Sequence, residues 1–200
     1  MSKILRRAFF FDRDGTLTSP VYRYDFEHHR WLDGAAISLE ELNVDSSAGE
    51  IVEYVQRKEF LPIVITNQPD FLKSDILLRV YEDITTRMCQ ELKIPRSHVF
   101  ECLHKEGHSL PCECRKPKPG LIYMAAGLHN IDLQNSWFVG DSWVDIAAAS
   151  AAGITNTIFL RRPPIEGKQE GNIDSYERLR GMGITPKHVI PTLDRIKDIV

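Results

Sequence analysis

No stretch of this chain approaches the roughly 20 consecutive apolar residues that a membrane-crossing helix needs. A membrane role is therefore not expected. Neither sign of charge is in excess: 25 Lys and Arg against 28 Asp and Glu leave a net charge of −3. That balance gives no electrostatic support for nucleic acid or an anionic membrane as partner. Cysteine is scarce and unevenly spread, with Cys89 alone and Cys102, Cys112 and Cys114 crowded together. A disulfide framework would distribute cysteines along the chain, and a reducing cytosol would not favour one. Repeats, low-complexity tracts and a second-domain boundary are also missing. One compact domain over residues 1–200 is expected, and no feature specifies an oligomer, so a monomer is favoured. Met1 to Arg7 is basic but runs straight into Ala8-Phe9-Phe10-Phe11. That apolar run is too short for a signal-peptide core and reads as a buried strand. A cytoplasmic address follows as the expectation.

What is present is an alternation of short apolar runs with segments of helical period, the pattern of an α/β domain with a mostly parallel sheet. Strands are predicted at Ala8 to Phe11, Leu61 to Ile65, Val99 to Cys102, Trp137 to Val139, Thr157 to Leu160 and His188 to Ile190. Pro62 fits best as the first residue of its strand. Helices are predicted over Ala48 to Lys58, Ser74 to Leu92, from Pro119 through Ala125, over Asp145 to Ala152, and over the tail Pro191 to Val200. Beyond Arg162, Pro163-Pro164 and Glu166 to Asn172 read as loop, rich in glycine and charge.

Three predicted strand ends carry polar residues. They are Asp12-Arg13-Asp14-Gly15-Thr16, Thr66-Asn67-Gln68 and Gly140-Asp141-Ser142-Trp143-Val144-Asp145. In an open parallel sheet, ligands bind outside the carboxyl ends of the strands, so these segments can share one crevice. Taken alone, Asp-x-Asp-Gly is ordinary turn chemistry. Taken together, Asp12, Asp14 and Asp141 in one cleft would repel one another unless a cation sat among them. Carboxylate oxygens suit Mg²⁺, which also accepts a substrate phosphate oxygen.

A second constellation is Cys102-Leu103-His104 with Cys112-Glu113-Cys114. Four nitrogen and sulfur ligands in a closed set, in a loop at about 102–114, fit a structural Zn²⁺. His108 is an alternative to His104, and buried reduced cysteines beside a surface histidine are the plainer reading. Cys89 lies on a helical apolar face and reads as core.

Asp12-x-Asp14-Gly15-Thr16-Leu17, Thr66, Lys116 and Gly140-Asp141-x-x-x-Asp145 resemble, in that order, the four motifs of the haloacid dehalogenase (HAD) phosphatases. The resemblance implies a Rossmann-like fold, here without a large cap domain because the intervals between motifs are short. It implies that Asp12 is the nucleophile and passes through an aspartyl-phosphate. Asp14 would be the general acid and base. Thr66, with help from Asn67, would hold the phosphoryl group, and Lys116 would balance its charge. Asp12, the backbone carbonyl of Asp14, and Asp141 would hold Mg²⁺, and Asp145 would support the site.

Cys114-Arg115-Lys116-Pro117 joins the last thiol ligand to the lysine, as in the heptose-bisphosphate and histidinol-phosphate phosphatases that this segment resembles. Zn²⁺ would then fix the loop that presents Arg115 and Lys116. A small phosphorylated metabolite is the expected substrate, a sugar bisphosphate first, with histidinol phosphate or a nucleic-acid 3′-phosphate as alternatives. A non-catalytic zinc-stabilised binding module is the reading from another class. Ser19, Arg23 and Arg115 are the expected substrate contacts besides Asn67, with Arg23 placed for a second anionic group or else a solvated loop arginine. Pro69-Asp70-Phe71 departs from the small glycine-containing turn of both relatives.

Overall fold

The computed structural model describes residues 5–27, 29–69, 75–104, 112–162 and 172–200. The phenylalanine run forms β1 (Ala8–Asp12), buried at every position. It is followed by a hairpin of β2 (Val21–Asp25) and β3 (Arg30–Gly34), then α1 (Ala48–Arg57), β4 (Leu61–Asn67), α2 (Asp75–Leu92) and β5 (Val99–Cys102). The second half brings α3 (Gly120–His129), β6 (Trp137–Gly140), α4 (Trp143–Ala151), β7 (Asn156–Leu160), α5 (Ile173–Gly181) and β8 (His188–Ile190).

Six strands make one sheet in the order β5-β4-β1-β6-β7-β8, and every pairing in it is parallel. A parallel sheet must be covered on both faces, and alternation along β1 shows how this is done. Phe9 and Phe11 face the layer of α1 and α2, meeting Ile51, Val55, Met88 and Leu92. Ala8 and Phe10 face α3 and α4, meeting Ile122, Ala125 and Ala148. Each buried phenylalanine contributes about 1.5–3 kcal/mol relative to exposure. This short run therefore anchors both layers. The same alternation gives Asp12 the face of Ala8 and Phe10, at the carboxyl end of a central strand.

The predicted strands and the first four helices are present, with ends shifted by a few residues. Ser74 lies outside the described residues. β4 begins one residue before Pro62, yet the proline costs the sheet nothing. Leu61 N–H donates to Arg7 O on the β1 side, so position 62 points to the β5 side, where pairing starts only at Val64. The tail is not an α-helix but a 3₁₀ turn over Leu193–Asp198. Leu193, Ile196 and Ile199 pack on the core at every third residue, a period that suits three residues per turn. α5 lies just past the loop expected at Glu166 to Asn172, in a stretch for which the sequence predicts no element. Its IDSYERLRG stretch buries Leu179 and leans Tyr176 on a small cluster with Phe159, too few apolar positions to announce a helix. The sequence likewise predicts no strands at the β2–β3 hairpin. Among the described residues, no helix is long and apolar enough to cross a membrane.

Candidate active site

The carboxyl ends of β1, β4 and β6 open into a cavity of about 490 Å³, with Asp12, Asp14, Thr66, Asn67, Lys116 and Asp141 in its wall. Two glycines bring the acidic residues close. Gly15 turns the chain after β1 with φ of +89°, and a Cβ there would stand 2.2 Å from Asp141 Oδ2. At Gly140 a Cβ would stand 2.4 Å from that of Asp145. Asp145 itself is fixed at the first turn of α4, where its Oδ2 accepts the Ser142 N–H at 2.9 Å. Asp12, Asp141 and Asp145 are all buried, and one oxygen of each lies within 4.8 Å of the others.

Lys116 reaches into this group from the segment before α3. Its Nζ lies 2.5 Å from Asp12 Oδ1 and donates to Ile65 O at 3.0 Å. It is 2.6 Å from Asp145 Oδ1, an ion pair rather than an aligned hydrogen bond. Burial alone would lower the lysine pKa, but Asp12 and Asp145 outweigh it and the net shift is upward. Burial raises the Asp12 pKa well above its ordinary value; repulsion from Asp145 adds to this, and Lys116 opposes it. Asp141 is met by Arg162, whose Nη2 lies 2.5 Å from Oδ2. Three buried carboxylates against these two cations leave an excess of negative charge on hard oxygens. That donor set fits Mg²⁺.

Asp14 faces the cavity but stands outside this carboxylate group. Its Oδ2 accepts from Gln68 Nε2 at 2.5 Å and from Arg13 Nε at 3.0 Å, with Thr66 Oγ1 at 3.5 Å. Its Oδ1 accepts from Thr18 Oγ1 at 3.3 Å. Arg13 and Gln68 are almost wholly buried, so Asp14 is held from behind by groups whose roles the sequence does not announce. Asn67 also lines the cavity, but its side chain is occupied. Its Nδ2 donates to Lys116 O at 3.1 Å and its Oδ1 accepts the Lys116 N–H at 3.0 Å.

Ser19, Arg23 and Arg115 are not among the residues of this cavity wall. Ser19 Oγ accepts from Asn43 at 3.2 Å. Arg23 is paired with Glu41 at 2.5 Å and donates to Ala35 O at 3.1 Å. Arg115 Nη1 donates to His104 O at 3.4 Å. The wall instead includes Arg162, Asn172, Ser175 and Arg178, from the region beyond β7 where the sequence offers no motif.

Next to the cavity, Cys102, His104, Cys112 and Cys114 gather with one ligand atom each within 4.8 Å of the rest. Cys102 Sγ lies 3.7 Å from Cys112 Sγ and 3.2 Å from Cys114 Sγ, and His104 Nδ1 lies 3.6 and 3.1 Å from the Cys102 and Cys114 sulfurs. These spacings are too long for a disulfide and near the ~3.7 Å edge of a tetrahedron with Zn–S bonds of about 2.3 Å. Burial, followed by the neighbouring thiols, pushes Cys114 up to about 12. A cation would relieve that cost of ionising clustered thiols. The donor set fits Zn²⁺. His108 lies outside the described residues, as do Asp70 and Phe71.

The chain is similar in sequence and in fold to known proteins. Residues 113–196 match the HAD-hydrolase-like family model. The D-glycero-alpha-D-manno-heptose-1,7-bisphosphate 7-phosphatase of Campylobacter jejuni is 30% identical over 173 residues, covering 80% of this chain and 86% of that protein. The corresponding beta-anomer 7-phosphatase of Pasteurella multocida is 28% identical over 179 residues, covering 84% and 90%. The fold matches the D,D-heptose 1,7-bisphosphate phosphatase of B. bronchiseptica, solved with magnesium and phosphate, at a TM-score of 0.68 and 21% identity, over 96% of each chain.

The Asn67 clamp generates a direct expectation. Asn67→Ala removes both bonds to the Lys116 peptide, and each bond lost from a partly buried site costs on the order of 1 kcal/mol. Urea denaturation should give a stability lower by about 1–3 kcal/mol. A midpoint equal to the parent's would show that the clamp bears no load.

Proposed function

The chain belongs to the HAD-like phosphatases, in the group that includes the D-glycero-D-manno-heptose-1,7-bisphosphate 7-phosphatases, and on that premise we propose that it is a Mg²⁺-dependent phosphomonoesterase acting on a sugar bisphosphate of this kind. The observation that carries the reading is Lys116 buried between Asp12 and Asp145 at the mouth of the parallel sheet. A lysine committed in this way steadies one oxygen of Asp12 and leaves the other to react.

In the proposed reaction, an Asp12 carboxylate oxygen attacks phosphorus and the bond from phosphorus to the ester oxygen breaks. Asp14 delivers its proton to that departing oxygen, which leaves as the sugar hydroxyl. Asp14 then takes a proton from water as the water oxygen attacks the aspartyl-phosphate. Inorganic phosphate leaves, and the carboxylate of Asp12 and the proton on Asp14 are restored. Gln68, Arg13 and Thr18 hold Asp14 so that it points at the cavity through both steps. Thr66 donates to the phosphoryl oxygens, and Lys116 offsets the charge that develops on them. Asp12, Asp141 and the backbone carbonyl of Asp14 would hold Mg²⁺, with Asp145 beside them. When bound, the ion supplies neutralisation of the clustered carboxylates and of the phosphate.

Zn²⁺ on Cys102, His104, Cys112 and Cys114 has a structural role in this reading. Its four ligands leave no open position, and Cys114 lies two residues before Lys116. We place the whole chain, as one domain and a monomer, in the cytoplasm.

Asp12→Asn keeps the shape and removes the nucleophile. Phosphate release from heptose 1,7-bisphosphate in the presence of Mg²⁺ should fall by at least roughly 10³-fold; activity within tenfold of the parent refutes the assignment. Metal analysis should find one zinc per chain. A strong chelator should lower the thermal midpoint by several degrees, in keeping with a metal whose binding is coupled to folding. A zinc-free protein of unaltered midpoint would remove the structural role.

A further inference from the structure

The cavity is larger than its catalytic floor, and its far wall comes from α4 and α5. α5 is docked on the first turn of α4 by Ser175, whose Oγ accepts the Trp143 N–H at 2.6 Å and lies 3.4 Å from Ser142 Oγ. One turn along α5, the Arg178 guanidinium lies 3.8 Å over the ring of Trp143, a cation–π contact that orders an exposed arginine. Both side chains line the same cavity as Asp12 and Lys116.

The charges of that wall can be accounted for one by one. Lys116 is committed to Asp12 and Asp145. Arg162 is committed to Asp141, and its Nη1 donates to Tyr22 Oη at 2.8 Å. Arg23 lies outside the wall and is committed to Glu41. Among the described residues no carboxylate is paired with Arg178, although Asp174, one turn earlier on the same helix, is also part of this wall. The wall thus carries an ordered guanidinium without an anionic partner, in a cavity whose floor handles phosphate.

We infer that Arg178, stacked on Trp143, binds the second, non-reacting phosphate of a sugar bisphosphate, and so sets the preference for a bisphosphate over a monophosphate. The inference rests on the proposed function and adds the residue that reads the substrate's far end. A planar guanidinium offers paired N–H donors that match phosphate oxygens. Trp143 holds it in place, so little side-chain freedom is lost on binding. For a heptose 1,7-bisphosphate cleaved at position 7, the group read here is the anomeric phosphate, the feature that distinguishes the alpha and beta substrates in the names of the Campylobacter and Pasteurella relatives.

The test compares kcat/KM for heptose 1,7-bisphosphate, as both anomers, with that for heptose 7-phosphate, which carries the scissile group alone. The parent should prefer a bisphosphate. In Arg178→Ala that preference should drop by roughly 10- to 100-fold, the loss expected for a charge-assisted contact. Arg178→Lys should recover part of it, and Trp143→Ala should lose some. Arg180→Ala is the control, because Arg180 is an exposed residue of the same helix that bonds to Glu177 at 3.5 Å, and it should keep the parent's ratio. A parent preference that survives in Arg178→Ala overturns the inference and leaves the proposed function standing. So does a parent that releases phosphate equally well from both sugars. A parent releasing phosphate from neither overturns both. Equal losses in Arg178→Ala and Arg180→Ala overturn it in favour of a general role of α5 in shape.

Discussion

The arrangement of this protein turns on one buried lysine. Lys116 is 4% exposed and sits between two carboxylates that are themselves nearly inaccessible. An ammonium in such a place is costly unless it is paired at close range and its remaining proton is hydrogen-bonded. Asp12, Asp145 and the carbonyl of Ile65 meet that requirement from three different elements: β1, α4 and β4. Removing the lysine would leave both buried carboxylates without their shared cation. The lysine therefore binds the two halves of the sheet at the point where the chemistry is proposed to occur.

The elements around it can be understood as means of bringing Lys116 there. Asn67, at the end of β4, grips the Lys116 peptide on both sides. The Cys102–Cys114 cluster closes the segment just before it. Gly15 and Gly140 lack the side-chain atoms that would hold Asp141 and Asp145 away. Phe9, Phe10 and Phe11 set the depth of β1 by filling both layers of the core, and so fix where Asp12 emerges. Asp14 is handled separately, gripped by Gln68, Arg13 and Thr18. This separation suits two carboxylates with different tasks: one shares Lys116 with a neighbouring carboxylate, and the other is held near the cavity by Gln68, Thr18 and an ion pair with Arg13.

Much of this was legible in the sequence because the information is local. Strands such as Ala8–Asp12 and Trp137–Gly140 are short apolar runs that end in polar residues, and the motif residues stand at those ends. The parallel order and the convergence of Asp12, Lys116 and Asp141 follow from the α/β pattern and the resemblance together. What was not legible depends on partners distant in the chain. α5 has too little apolar surface to declare itself, so Arg162, Ser175 and Arg178 carried no signal. Arg23, expected at the substrate, instead meets Glu41, a pairing made possible by the β2–β3 hairpin that periodicity did not reveal. Gln68 and Arg13 look like turn and spacer residues until Asp14 is seen between them.

In the proposed reaction a carboxylate oxygen of Asp12, steadied by Lys116, forms the bond to phosphorus. The most direct measurement is to quench the protein during turnover of heptose 1,7-bisphosphate, reduce with borohydride, and map the peptides by mass spectrometry. An acyl-phosphate is reduced by this treatment and a free carboxylate is not. Homoserine is expected in place of Asp12, with no change at Asp14, Asp141 or Asp145. Phosphate release with Asp12 unmodified and another carboxylate reduced would contradict it.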